Sequence, residues 1–288
     1  MSNTSNHKPS ISFEFFPAKS EESQNKLREE RTKLAAADPT YFSVTYGAGG
    51  TTRSHTLETV LETRKVTGIN SAPHLSCVGD NREHLGSLLE EYKSHGINKM
   101  VALRGDLPSG MGILKGEFAY ARDLVAFIRE KTGDHFHLAV AAYPEMHPQG
   151  VTLDLDFQRF VEKVDAGANS AITQYFYNAD AYEHFMDLCA KKNVKIPVVP
   201  GIMPITNYSR LARFSQMCGA EIPRWLEKQL MAYGDDTKSI RQLGEEAVTR
   251  LVEKLIGLGA PSFHFYTLNQ AEPSLAICRN LKLGAFDT

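Results

Sequence analysis

Eight times along the chain, a short run of β-branched and aromatic residues precedes a longer charged segment with helical spacing. The strand candidates are ISFEFFP from Ile11, YFSVTYG from Tyr41, NSAPHLSC from Asn70, KMVALRGD from Lys99, FHLAVAAYPE from Phe136, SAITQYFY from Ser170, KIPVVPGIMP from Lys195 and SFHFYTLN from Ser262. Helical spacing covers Ser20–Ala37, Thr52–Thr67, Arg82–His95, Glu117–Lys131, Asp154–Gly167, Ala179–Lys192, a long region from Tyr208 to Leu258, and Gln270–Leu281. Strand, helix, strand in strict order means parallel strands joined by right-handed crossovers. Eight such units that close on themselves predict an α/β fold of the (β/α)8 TIM-barrel type. The competing architecture is an open doubly wound sheet, but no GxGxxG turn follows the first strand.

The chain has 288 residues, close to the roughly 250 that one barrel uses. The expected organisation is a flexible N-terminal segment over 1–10 and one catalytic barrel domain over 11–288. Apolar residues at 42% and charged residues at 23% place the chain among ordinary globular proteins. A formal net charge of -2 provides no field to hold nucleic acid or anionic lipid, so neither is an expected partner. Cys77, Cys189, Cys218 and Cys278 form no CxxC pair, which fits a reducing cytoplasm and neither a disulfide framework nor a structural zinc. The polar opening MSNTSNHKPS has no apolar h-region, and no stretch nears the roughly 20 apolar residues of a membrane-spanning helix.

Side chains alternate across a strand, so Ser12, Glu14 and Phe16 share one face of ISFEFFP while Phe13 and Phe15 share the other. If the two phenylalanines face the outer helices, Glu14 points into the barrel. A carboxyl there favours its protonated form, which suits a general acid near neutral pH. An exposed edge carboxylate or one neutralised by arginine is the competing reading. The same parity gives Ser43, Thr45 and Gly47 on strand two and Ala72, His74 and Ser76 on strand three. It gives Ala102, Arg104 and Asp106 on strand four, Ala141 and Tyr143 on strand five, and Ile172, Gln174 and Phe176 on strand six. Several stand near C-terminal strand ends, where barrel enzymes place their sites. The glycine-rich stretch Pro108–Gly116 reads as an active-site loop. VTYGAGG and VALRGD allow a planar ligand to approach the backbone, although their glycines also suit plain tight turns.

Metal-dependent hydrolysis needs converging histidines and acids. The one HxH, His135 and His137, opens a strand at the stability face, and His74, His147 and His264 are scattered singly. No metal is expected. No GxSxG elbow supports acyl transfer either. A metal-dependent barrel hydrolase using His74, His147 and nearby acids stays the competing enzyme class, and a non-catalytic ligand-binding barrel the alternative to an enzyme.

The segments SFEFFP, SVTYGAGG, APHLSC, VALRGDLP, AAYPEMHP, KVDAGAN, AITQYF, PGIMPITNY and FHFYTLN, in this order, closely resemble the bacterial methylenetetrahydrofolate reductases. That resemblance implies a cytoplasmic flavoprotein with noncovalent FAD and NADH, or NADPH, as co-substrate. It would reduce 5,10-methylenetetrahydrofolate to 5-methyltetrahydrofolate by ping-pong hydride transfer and supply methyl groups for methionine synthesis. It implies Glu14 as the general acid that assists opening of the folate ring, and Asp106 as an acid beside the flavin pyrimidine edge. It implies FAD contacts from Thr45, Tyr46, Ala48, His74, Arg104, Gly105, Asp106, Ala121, Tyr143, His147, Asp156, Lys163 and Ile172, with Arg104 and Lys163 suited to the diphosphate. Gln174 and Tyr208 match positions that meet folate or nicotinamide. Gln270 stands where close relatives carry an arginine for the folate glutamate tail, and Arg159 and Glu162 also depart from the family pattern. A homo-oligomer, dimer or tetramer, is implied, without inhibition by adenosylmethionine because no regulatory region follows the barrel.

Overall fold

The computed structural model describes residues 8–18, 20–46, 53–105 and 116–286. Its strands are β1 (Ser10–Phe15), β2 (Tyr41–Val44), β3 (Ser71–Ser76), β4 (Lys99–Leu103), β5 (His137–Ala142), β6 (Ser170–Thr173), β7 (Val198–Val199), β8 (Gly201–Ile202) and β9 (Ser262–Tyr266). All pair in parallel in the order β7-β6-β5-β4-β3-β2-β1-β9-β8. The two edges of that list, β7 and β8, are successive pieces of chain separated by Pro200, so the sheet closes on itself as a TIM barrel.

The expected seventh strand, KIPVVPGIMP, is thus two short ones. Proline has no N–H to donate to a ladder, so the strand breaks there. The Pro200 carbonyl still accepts the His264 N–H at 3.0 Å. Tyr266 and Thr173 strengthen the same seam: the Tyr266 hydroxyl donates to the Thr173 carbonyl at 2.7 Å, and Gly201 N–H donates to Thr173 Oγ1 at 2.9 Å. Gly201 has to be glycine, because a Cβ there would sit 2.2 Å from the Thr173 carbonyl oxygen and 2.6 Å from the Tyr266 ring.

Helices α1 (Glu21–Ala35), α2 (Arg53–Thr67), α3 (Arg82–Ser94), α4 (Ala121–Thr132), α5 (Leu153–Asp165) and α6 (Ala179–Lys191) follow β1 to β6. The region expected as one long helical stretch is three: α7 (Tyr208–Cys218), α8 (Arg224–Ala232) and α9 (Thr237–Gly257). Gly219, left-handed at φ 76°, ends α7, and Pro223 stands just before α8. Helix α10 (Glu272–Asn280) completes the ring.

Phe13 and Phe15 face the helices, which meets the condition under which Glu14 points into the barrel. Both are fully buried beside Phe42, with ring centroids 6.3 and 5.0 Å away, and Phe13 also meets Phe265 at 5.6 Å. Burying each ring is worth about 2–3 kcal/mol, and this ties β1 and its neighbours to the outer layer. The lumen has its own small apolar cluster of Val101, Ala139, Ile172 and Val199, with Leu103 and Tyr266 against it. Strand four is therefore turned opposite to the reading that put Ala102 inward: Val101 and Leu103 fill the lumen, and Ala102 packs in the outer core. Small and apolar residues occupy both faces of β4, so its alternation carried no sign.

Candidate active site

The inward face of β1 delivers Glu14 to the barrel mouth, with a side chain 13% exposed. Register places Glu14 beside Ser43 of β2 and Tyr266 of β9. Its Oε2 lies 3.3 Å from His74 Nε2 and 3.6 Å from His264 Nε2. Ser43 Oγ stands between the two imidazoles, 3.1 Å from His74 Nε2 and 3.2 Å from His264 Nε2. Ser12 Oγ is 2.7 Å from His264 Nδ1. Burial holds the His74 pKa below its ordinary 6.5; the Glu14 charge opposes that shift and His264 adds to it. The Tyr41 ring stacks on His264 with centroids 5.8 Å apart, and the Lys99 ammonium lies over the Tyr41 ring, 3.8 Å from its centroid. Burial pushes the Tyr41 hydroxyl up to about 12, so it stays protonated at neutral pH.

The chain after β9 clamps the end of β1. Thr267 donates its hydroxyl to the Glu14 carbonyl at 2.6 Å. Asn269 grips Phe16 from both sides: its Oδ1 accepts the Phe16 N–H at 2.8 Å and its Nδ2 donates to the Phe16 carbonyl at 3.1 Å. That grip needs two successive left-handed residues, Leu268 at φ 51° and Asn269 at φ 57°. Asparagine tolerates this conformation, whereas leucine rarely adopts it. The backbone bearing Glu14 is fixed at either side of the acid.

A second group of expected residues gathers around β4, β5 and α5. The Arg104 guanidinium donates to Gln149 Oε1 at 2.6 Å, and its carbonyl accepts the Ser76 hydroxyl at 2.9 Å. Gly105 follows at φ 89°, where a Cβ would collide with Ser76 Oγ at 1.9 Å, so close packing as well as backbone shape demands glycine. The Tyr143 and His147 rings meet edge-on at 4.7 Å. The first turn of α5 brings Asp156, whose Oδ2 accepts the His147 N–H at 2.9 Å. Lys163, two turns further, reaches inward and donates to the Ala141 carbonyl at 2.6 Å. Burial pulls the Lys163 pKa down to about 8, and Asp156 only partly offsets this.

The other expected residues have these places. Thr45 continues β2, its N–H donating to the Phe15 carbonyl at 2.9 Å, and the half-buried Tyr46 packs on the outer core. Ile172 belongs to the lumen cluster. Ala121 opens α4 beside Tyr120, whose ring carries the Arg159 guanidinium at 4.1 Å. Arg159 and Arg122 both pair with Glu162. The Gln174 side chain folds back to accept the Tyr175 N–H at 3.0 Å, and Gln270 closes the turn after β9 with its N–H on the Thr267 carbonyl at 2.9 Å. Tyr208 opens α7 and bonds Glu227 at 3.3 Å. Ala48, Asp106 and all but the last residue of the 108–116 loop lie outside the described residues.

Among the described residues no cluster of three or more histidine, cysteine or acidic side chains could hold a metal ion, and no helix is long and apolar enough to cross a membrane. His137 is engaged by Ser170 Oγ at 2.9 Å and His135 by the Ile97 carbonyl at 3.0 Å. Sequence reasoning did not single out Thr267 or Asn269. Their signal is an asparagine two residues after a threonine at the end of an apolar strand, a common turn chemistry that says nothing of its partner 253 positions away.

Comparison with solved structures gives the barrel independently: a protein from Clostridium thermocellum, described as binding two copies of 5-methyl-5,6,7,8-tetrahydrofolic acid, superposes with a TM-score of 0.69 at 19% identity, over 96% of each chain. A 5,10-methylenetetrahydrofolate reductase from Salmonella typhimurium is 38% identical over 271 residues, which is 94% of this chain and 90% of that one. Methylenetetrahydrofolate reductase (NADH) 1 from Zea mays is 37% identical over 285 residues, 95% of this chain but 48% of the maize protein. The family described as Methylenetetrahydrofolate reductase matches residues 1–282, and with an acid at the lumen mouth and relatives this similar along nearly the whole chain, the protein belongs to that family.

Proposed function

We propose that the protein reduces 5,10-methylenetetrahydrofolate to 5-methyltetrahydrofolate in two half-reactions, with NADH as donor and noncovalent FAD between donor and folate. Family membership supports the reduction itself. The name of the maize relative supports NADH, and the clostridial neighbour supports a folate in a barrel of this shape. The observation that carries the reading is the enclosed carboxyl of Glu14, held 3.3 Å from His74 at the C-terminal mouth, where barrel enzymes work.

The residues present fit FAD. Lys163 is a half-buried cation whose charge is disfavoured until an anion joins it, and Arg104 and the start of α5 lie on the same side of the mouth. Arg104 and Lys163 are assigned to the diphosphate, while Tyr143, His147, Thr45, Tyr46, Gly105, Ala121, Asp156 and Ile172 line the rest of its site. Asp106 and Ala48 join them by motif alone. Bound there, FAD supplies a two-electron carrier that lets donor and folate be used in turn, which is ping-pong kinetics.

The protein's own chemistry is a proton. Glu14 gives it to the leaving amine of the folate ring, and Gln174, Tyr208 and Gln270 hold the folate. The methyl product suits methionine synthesis.

The test is Glu14→Gln in rapid-reaction kinetics. Flavin reduction by NADH persists, and folate reduction falls by about 100-fold or more, the usual worth of a general acid. Equal loss in both half-reactions, or none in the second, sinks the assignment.

A further inference from the structure

Two imidazoles face Glu14, and one self-consistent direction of the hydrogen bonds around them assigns a hydrogen to one nitrogen of each. The series begins at a group that can only accept: the Phe263 carbonyl takes the Ser12 hydroxyl hydrogen at 3.3 Å. With its hydrogen on Phe263 rather than on the Tyr41 hydroxyl, which also bonds Ser12, Ser12 Oγ is an acceptor for His264 Nδ1 at 2.7 Å; in this arrangement Nδ1 bears the hydrogen and Nε2 of a neutral ring is a bare lone pair. Ser43 donates its hydroxyl to that lone pair at 3.2 Å and accepts His74 Nε2–H at 3.1 Å. Glu14 Oε2 therefore has a donor, His74 Nε2–H, at 3.3 Å and an acceptor, His264 Nε2, at 3.6 Å.

We propose that His264 and His74 are a pair of opposed fixed tautomers that hold Glu14 in both of its protonation states, which makes His264 a positioning residue of the reductase. Each imidazole has one group to offer, so Ser43 and Glu14 use it in turn: His264 Nε2 accepts from the carboxylic acid when the Ser43 hydroxyl turns away, and His74 Nε2–H shifts from Ser43 to the carboxylate when Glu14 is ionised. When Glu14 acts, its O–H bond breaks and an N–H bond forms on the leaving amine of the folate. The carboxylate left behind takes the His74 hydrogen bond, and water returns a proton between turnovers. Neither imidazole changes its charge in the step. This inference rests on Glu14 being the acid.

Three further features agree with it. His264 is fully buried against the Tyr41 ring, so its orientation is held by packing. Burial disfavours the charged form of His74. The other titratable groups around the acid are Tyr41 on β2, with Lys99 of β4 on its ring, and Tyr266 on β9; both hydroxyls are kept protonated by burial. Asp106, after β4, lies outside the described residues.

Long-range proton–nitrogen NMR of holoprotein labelled in its histidines tests the tautomers directly, with Ser12→Ala and His264→Asn to assign the signals. The expected result is His264 as the neutral Nδ1–H form at neutral pH, and loss of that preference in Ser12→Ala. An imidazolium or a dominant Nε2–H form overturns the proposal. Kinetics gives the second arm: both variants lower folate reduction relative to flavin reduction by about tenfold and move the high-pH limb of the folate half-reaction to lower pH, because the acid form has lost its acceptor. Ser12→Ala keeps the imidazole in the core, and its thermal melt checks folding. If Glu14→Gln abolishes folate reduction while Ser12→Ala and His264→Asn leave its rate ratio and pH profile unchanged, this inference fails and the Glu14 assignment stands. If Glu14→Gln has no effect, the assignment itself fails.

Discussion

Glu145 lies on the segment between β5 and α5, and replacing it with glutamine isolates a cost that the fold bears only at neutral and alkaline pH. Its Oε2 accepts the Glu221 N–H at 2.8 Å, just past the end of α7. Burial raises its pKa from 4.5 to about 7; the Glu221 N–H works against this and the Glu221 charge adds to it. Below pH 4.5 the carboxyl is protonated in folded and unfolded chains alike, and it costs nothing. As pH rises toward 7 the unfolded chain ionises first, so the stability that the neutral carboxyl contributes is lost, and above 7 the loss is complete. At about 1.4 kcal/mol per pH unit this window is worth at most about 3 kcal/mol, and discounting for solvent screening at a partly exposed group leaves about 1–2 kcal/mol. Glutamine keeps an oxygen for the Glu221 N–H. Glu145→Gln is therefore expected to be more stable than the parent by about 1–2 kcal/mol at pH 8, a rise of a few degrees in Tm, with no difference at pH 4.5. Urea denaturation at the two pH values, followed by circular dichroism, measures both. An equal gain at each pH, or a loss at pH 8, refutes the reasoning.

Two other perturbations follow from the geometry. With Lys163 near 8, flavin affinity of the apoprotein is flat below that pH and falls above it by up to about tenfold per pH unit, as read by flavin fluorescence titration; Lys163→Met removes the slope, and a parent protein without one would show that this ammonium does not meet the diphosphate. Gly201→Ala drives a Cβ into the Thr173 carbonyl and the Tyr266 ring and should cost about 2–3 kcal/mol in chemical denaturation; a cost near zero would mean that the seam between β6 and β9 yields.

The alternation of strands and helices was enough to predict the barrel, while the aromatic pair Phe13 and Phe15 placed Glu14 on the opposite face of its strand and turned it inward only on condition that the pair met the helices, which it does. Both work because large apolar side chains mark one face of a strand. Lys99 to Leu103 lacks that contrast, and there the inward face was misread. Pro200, Gly219 and Pro223 were visible breakers, yet the β-branched and helical runs around them outweighed a single residue each. The ordered motifs identified the family, but they did not show that Ser12, Ser43, His74 and His264 form one connected group around the acid. Those residues come from β1, β2, β3 and β9, and which strands are neighbours across the closing seam is a property of the whole cylinder. His264 accordingly read as an isolated histidine.

The pairing of β1 with β9 also bears on biosynthesis. Ser12 and His264 are 252 positions apart, so a growing polypeptide exposes one unpaired edge of its first strand through nearly the whole of translation. Contacts this distant form late and slowly. A chain released before Ser262 therefore presents an open, sticky flank and leaves Glu14 without Thr267, Asn269 or His264, so ring closure and completion of the Glu14 surroundings arrive in a single final event.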